Sequence, residues 1–365
     1  MFKYLILITW IIFSLLSCGK DNKVIEISSP SGKIKTFVYS KSNGVNYEVF
    51  YKNQKVINNS QLGIVFENGF SLFNDSKVIN VQNNYFDDIW ELPWGEVRKI
   101  RNKYNETIIT YQQDIASYKL IFRVYDDGIA FRYQINNFIN KNDSIIITNE
   151  LTQFNLTDPA DVWWVPAYGD NRYEELYSKT KVVDIDTVHT PLTLKYNNGI
   201  HMSIHEASLI NYSSMQLFHS KEGNLNCDLA PWSNGDKVRI TLPFKTPWRT
   251  VKISSSAKGL IESYLTLNCN EPNKIEDTSW IKPAKYIGIW WGMIIGKWTW
   301  GESFRHGATN ERGYKYIDFA SKHGFDEVLI EGWASGWQGL FPEDSVTVSF
   351  TKSTPDFDLE KVQNY

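Results

Sequence analysis

The sequence predicts a large two-sheet β-sandwich followed by the opening of a (β/α)8 barrel, a multidomain chain that is mainly β and then α/β. Three observations carry this. From Val24 to about Asn270, short alternating strands are punctuated by Gly, Asn and Asp. Between Lys285 and Trp337 the pattern changes to strand, aromatic-rich loop, helix and strand. Pro272, Asp277, Ser279 and Pro283 cluster between the two and mark a boundary near Glu271 to Pro283. At 365 residues two domains are expected, and 42% apolar content suffices for real cores.

Residues 1–17 read as a processing signal. Lys3 gives a positive start, and Leu5 to Leu16 is an apolar run too short for an ordinary membrane span. Leu15-Leu16-Ser17-Cys18 resembles a bacterial lipoprotein cleavage box, which would make Cys18 the lipidated first residue. A plain secretory signal with an incidental cysteine is the alternative. Residues 18–24 then form a polar tether. The expected location is outside the cytoplasm, in the periplasm or outer membrane, with a lipid anchor at Cys18. Two further cysteines, Cys227 and Cys269, could pair in an exported protein or remain buried thiols, and spacing does not decide.

The sandwich, residues 25–272, is built from strands such as Ile34 to Tyr39, Tyr47 to Tyr51, Thr107 to Tyr111, Leu120 to Val124, Ala130 to Ile135 and Ser144 to Thr148. Lys41 to Gly44, Lys52-Asn53-Gln54 and Asp126-Asp127-Gly128 are turn chemistry. A net charge of -3 without a basic cluster excludes nucleic acid as an expected partner. Aromatics are high at 15%, with 14 Trp, which suits either bulky cores or sugar-stacking platforms.

Residues 283–365 begin the barrel. Thr309 can cap a helix, Glu311 suits its first turn, Tyr316, Ile317 and Ala320 share a face, and Gly324 ends it. Val328-Leu329-Ile330 is an apolar run suited to a strand buried on both faces. A strand–helix–strand unit of this length implies a parallel pair with a right-handed crossover. Glu331 then lies just past a strand's carboxyl end, where barrel enzymes keep their chemistry.

Three sandwich segments depart from plain strand patterning. Trp163 to Tyr168 leads into Asn171 to Tyr177, where Glu174 and Glu175 could line a sugar site, hold a hard cation or form a solvated acidic turn. Met202 to Ala207 carries His205 and Glu206, neighbours that point to opposite faces of a strand. In Thr246 to Thr250, Arg249 follows Trp248, and ion pairing is the plain account.

Together these segments resemble glycoside hydrolase family 97, exported α-glucosidases and α-galactosidases of Bacteroidetes-type bacteria. The matching stretches include Ser29 to Lys33, Gln61 to Gly63, Asp127 to Tyr133, Tyr173-Glu174, Ile204 to Ala207, Thr246 to Thr250 and Trp280 through Trp333. The resemblance implies an amino-terminal β-super-sandwich, a catalytic (β/α)8 barrel and a small carboxyl-terminal β-domain. It implies exo-acting, calcium-dependent hydrolysis of α-linked oligosaccharides, by a monomer or dimer. Glu174, with Glu175 the alternative, would contribute to Ca2+; His205, Glu206, Glu331 and Trp333 would contact substrate. Arg305 and His306 are secondary candidates in the loop before the helix.

The sequence stops at Tyr365, after about two of the eight β/α units. Pro355 to Val362 should open the second barrel helix. The resemblance places the general acid and the base or nucleophile in later strands, so no catalytic residue is expected within this chain. The chain alone is then inactive, and a non-catalytic carbohydrate-binding sandwich or an inactive remnant is the competing expectation.

Overall fold

Every second residue is buried along Ile34–Lys41 and Gly44–Tyr51, the alternation that a strand with one core face requires. The computed structural model describes residues 23–114, 116–137, 145–157, 159–169, 175–221, 223–337 and 348–365. The chain divides into two units, Met1–Pro272 and Asn273–Tyr365.

In the first unit, Lys23–Ser28, Ile34–Lys41, Gly44–Tyr51 and Gln54–Leu62 form a four-stranded antiparallel meander. Lys52 and Asn53 both take positive φ, 49° and 64°, between the paired residues Tyr51 and Gln54. This is the primed hairpin turn, whose twist matches that of the flanking strands. A ten-stranded sheet forms the other main layer, running from Ser178–Lys181 at one edge to Lys77–Glu91 at the other. Its middle carries His201–Ala207, Trp248–Ser254 and Gly128–Asn137 as antiparallel neighbours. Gly128 must be glycine: a Cβ there would lie 2.2 Å from the Val251 carbonyl oxygen.

The core lies between these layers. Tyr47 of the meander meets Phe122 and Phe131 of the large sheet at ring-centroid distances of 5.9 and 5.2 Å. Fully buried tyrosines keep their hydroxyls bonded, since an orphaned polar group would be costly there. Tyr47 donates to the Gln153 carbonyl, Tyr196 to that of Val56, and Tyr111 meets the Ser40 hydroxyl. Cys227 and Cys269 are both free and buried, and they belong to separate apolar clusters. Burial pushes the Cys269 thiol up to about 11.

The second unit is strand, helix and parallel strand. Tyr286–Gly288 pairs with Glu327–Leu329, and the helix Asn310–His323 lies between them in sequence. Thr309 caps this helix by accepting from the Arg312 amide, and Gly324 closes it in the left-handed region at φ 71°. A short helix, Trp290–Ile294, occupies part of the expected aromatic loop. Asp358 caps the final helix, Leu359–Asn364. One expectation is corrected: the second strand is not buried on both faces, and Leu329 is 42% exposed. Among the described residues its sheet has two strands, and an open pair of that size does not bury its faces.

Candidate functional site

The candidates fall in both units, and each unit has its own arrangement. In the sandwich, Glu206 and Arg249 stand opposite each other on the paired strands His201–Ala207 and Trp248–Ser254. Arg249 is fully buried. Its Nε and Nη2 donate to the two oxygens of Glu150 at 2.9 and 2.6 Å, and its Nη1 donates to Glu206 at 2.6 Å. The remaining acceptor capacity is also used. Thr152 and Tyr212 hydroxyls donate to Glu150, and the Met215 amide donates to Glu206.

Burial by itself would push the Arg249 guanidinium down; the adjacent Glu150 carboxylate outweighs this, and the net shift is upward. Two carboxylates and one cation thus share a dry site that only full hydrogen bonding makes tolerable. The ion-pair account of Arg249 holds, and Glu206 is occupied inside the sandwich.

His205, next in the strand, points to the opposite side and is partly exposed. Its Nδ1 lies 3.1 Å from the Thr190 hydroxyl, and Nε2 has no hydrogen-bond partner among the described residues. Burial, then the nearby charges of Lys252 and Arg249, hold its pKa below the ordinary 6.5. The structure therefore separates His205 from Glu206 although they are adjacent in sequence.

Glu174 and Cys18 lie outside the described residues. Glu175 is exposed, with no ion pair or hydrogen bond among the described residues. Among those residues no group of three or more His, Cys, Asp and Glu side chains gathers as metal ligands. The described residues therefore do not by themselves fit a calcium ion.

In the second unit, Glu331 follows the strand Glu327–Leu329 and is partly buried; its carboxylate has no partner among the described residues. It is available for a ligand. Trp333 packs on Phe357 at a centroid distance of 6.0 Å and borders the small apolar cluster of Ile289, Met293 and Ala308. His306 is fully buried, its Nδ1 at 2.8 Å from the Asp356 carboxylate and its Nε2 at 3.1 Å from the Gly332 carbonyl. It pins the loop that carries Glu331. Arg305 is exposed and donates to the Gly296 carbonyl.

Sequence reading missed Glu150 and Tyr212. No local signal marks Glu150 as the partner of a residue 99 positions away.

Comparison with known proteins matches two family models: Glycosyl-hydrolase 97 N-terminal over residues 27–272 and Glycoside hydrolase 97 over residues 290–365. The "Retaining alpha-galactosidase" of Bacteroides thetaiotaomicron is 25% identical over 353 residues, covering 87% of this chain and 51% of that protein. A "Probable retaining alpha-galactosidase" of Streptomyces bingchenggensis is 25% identical over 285 residues, covering 76% of this chain and 41% of that protein. The chain thus spans about half the length of the curated relatives it matches. Among solved structures, a variant of a Glycoside Hydrolase Family 97 enzyme from Pseudoalteromonas sp. strain K8, in complex with panose, is 42% identical with a TM-score of 0.87. That match covers 93% of this chain and 52% of the other.

Replacing Arg249 by Met leaves two buried carboxylates without their cation and should lower sandwich stability by about 3–5 kcal/mol. Urea unfolding followed by tryptophan fluorescence measures this, and a loss under about 1 kcal/mol would contradict the account. His205 sets a pH dependence. Because its folded pKa lies below 6.5, the unfolded chain binds more protons as pH falls below that value. Its contribution is intact above 6.5 and is lost as pH falls toward the folded pKa. His205→Gln should therefore lose less stability than the wild type between about pH 7.5 and about pH 5.5, and equal losses would refute the assignment.

Proposed function

The chain belongs to glycoside hydrolase family 97, and on that premise we propose that its protein is an exo-acting hydrolase of α-linked oligosaccharides. The observation that carries the reading is the 42% identity, over 93% of this chain, to a family enzyme solved with panose. The curated relatives, named as retaining galactosidases, share 25% identity, so α-glucosides and α-galactosides both belong in the proposal.

Glycoside hydrolysis needs two carboxyl groups flanking the scissile bond, one protonating the leaving oxygen and the other acting as nucleophile or base. In this proposal both come from barrel strands beyond those in residues 283–365. For substrate contact the second unit offers Glu331 and Trp333 after a barrel strand, and the first unit, taken by itself, offers the open Nε2 of His205. Neutral at ordinary pH, His205 suits hydrogen bonding to a sugar hydroxyl. Glu206 would act through Arg249 and the strand beginning at Met215, as a positioning residue. Calcium enters the proposal through one carboxylate, Glu174 or Glu175, joined by ligands from elsewhere in a longer protein; it would supply fixed positive charge near the reacting bond. Export through the signal at residues 1–17, with lipidation of Cys18, completes the reading.

The test compares the 365-residue chain with a protein whose barrel continues beyond Tyr365, on panose, an aryl α-glucoside and an aryl α-galactoside. The short chain should be inactive. The extended protein should cleave at least one substrate and lose that activity on chelation. Turnover by the short chain would place the carboxylates within it, undiminished activity after chelation would remove calcium, and an extended protein inactive on all three would end the hydrolase reading. Separately, Cys18→Ser should shift the protein from the membrane fraction to the soluble one. A soluble protein with Cys18 intact would contradict the anchor.

A further inference from the structure

A cleft of about 800 Å³ opens in the sandwich, its lining including Asn211, Tyr212, Ser213, Trp232, Arg239 and Thr241. This volume lies within the range of roughly 300–1,000 Å³ typical of small-ligand sites. We propose that it is a second carbohydrate-binding site, which takes a short neutral oligosaccharide stacked on Trp232.

Trp232 is 58% exposed, yet its position is fixed. Its amide donates to the Asp236 carbonyl, and its own carbonyl accepts from Gly235, which turns the chain at φ 92°. The Arg239 guanidinium lies 5.4 Å from the indole centroid, and Asp236 holds it there through Nε and Nη2, both at 2.7 Å. One face of the ring is thereby covered by a cation, and the ring borders open space in the cleft. An indole held this way before binding loses little freedom on stacking against an apolar sugar face.

The Tyr212–Ser213 part of the lining is also held in place. Tyr212 is anchored through its hydroxyl to Glu150, within the buried Arg249 cluster. The Ser213 hydroxyl donates to the Ala230 carbonyl, and the Ala230 amide donates to Ser214.

Charge selects the class of ligand. Lys237 is bound to Asp228 at 3.0 Å and to the Leu229 carbonyl, and Arg239 is bound to Asp236. Both cations of the lining are therefore neutralised, which disfavours a phosphate or carboxylate ligand. The neutral side-chain groups of the lining left without hydrogen-bond partners among the described residues include the Asn211 amide, the hydroxyls of Ser233 and Thr241 and the Trp232 indole N–H, all on exposed residues. Neutral donors and acceptors around an aromatic face match a sugar's hydroxyls and its C–H face. The site lies within the first unit and uses none of His205, Glu331 or Trp333, so it stands whether or not the hydrolase reading does.

The experiment is calorimetric and fluorescence titration of the 365-residue chain with maltotetraose, raffinose, cellotetraose and inorganic phosphate. We expect saturable binding of at least one oligosaccharide. Trp232→Ala should weaken it at least about tenfold, while Trp232→Phe retains most of it. Thr241→Val, which removes a hydroxyl at nearly constant shape, should weaken it severalfold; the Trp94→Ala control should leave it unchanged. Failure of every oligosaccharide to bind overturns the proposal. So does binding that survives Trp232→Ala but is lost in Trp333→Ala, or phosphate binding that quenches Trp232 and competes with sugar. Hydrolysis is read separately, so its absence with intact Trp232-dependent binding sinks the activity and leaves this site standing.

Discussion

The buried guanidinium of Arg249 is the constraint on which the sandwich depends. It joins the strand Trp248–Ser254 to Glu206 in the neighbouring strand and to Glu150, which ends a strand in a separate three-stranded sheet. Removing two carboxylates and a guanidinium from water carries a large desolvation cost, and the attraction between them offsets it only when geometry and hydrogen bonding are complete. Here every carboxylate oxygen is bonded: Arg249 makes a bidentate contact to Glu150 and a third bond to one oxygen of Glu206, Thr152 and Tyr212 each add a second bond to a Glu150 oxygen, and the Met215 amide takes the other oxygen of Glu206. A half-filled cluster would be worse than an apolar core, so each member restricts where its neighbours can sit.

The consequences reach both walls of functional interest. Through Met215 the cluster sets the start of Met215–His219, and through Tyr212 it fixes part of the lining of the cleft that also holds Trp232. Through Glu206 it sets the rotation of His201–Ala207, so that His205 emerges on the other side with one ring nitrogen held by Thr190 and the other open. A second brace lies close by in the same strand: the guanidinium groups of Arg123 and Arg132 both lie over the Trp248 ring, at 4.5 and 4.2 Å from its centroid.

The barrel unit uses a smaller version of the same device. His306 bridges Asp356 and the Gly332 carbonyl, tying the loop before the helix Asn310–His323 to the turn that follows Glu331. Gly332 takes φ 84°, and a Cβ on it would approach the Trp300 carbonyl oxygen at 2.9 Å. Glycine at that position lets the loop pass close while the Glu331 carboxylate stays unengaged among the described residues.

Features governed by neighbours in the chain were legible from residue order. The Thr309 cap, the Gly324 stop and the Lys52-Asn53 turn depend on φ/ψ preferences and bonds spanning a few residues. The parallel pair and the β domain followed from periodicity, and the family from motifs spread along the chain; the two sheets expected of that domain are four among the described residues, since strand pairing is set by tertiary contacts. Tertiary structure decided the roles. Glu206 and His205 look like a pair in sequence, but strand geometry sends one to Arg249 and the other outward. Glu150 and Arg249 are 99 residues apart, and nothing near either one names the other. Cys227 and Cys269, which spacing left open as a pair, lie in different apolar clusters. Local chemistry depends on adjacent residues and can be read in order; desolvation and ion pairing depend on what the fold brings together, and residue order does not contain that distance.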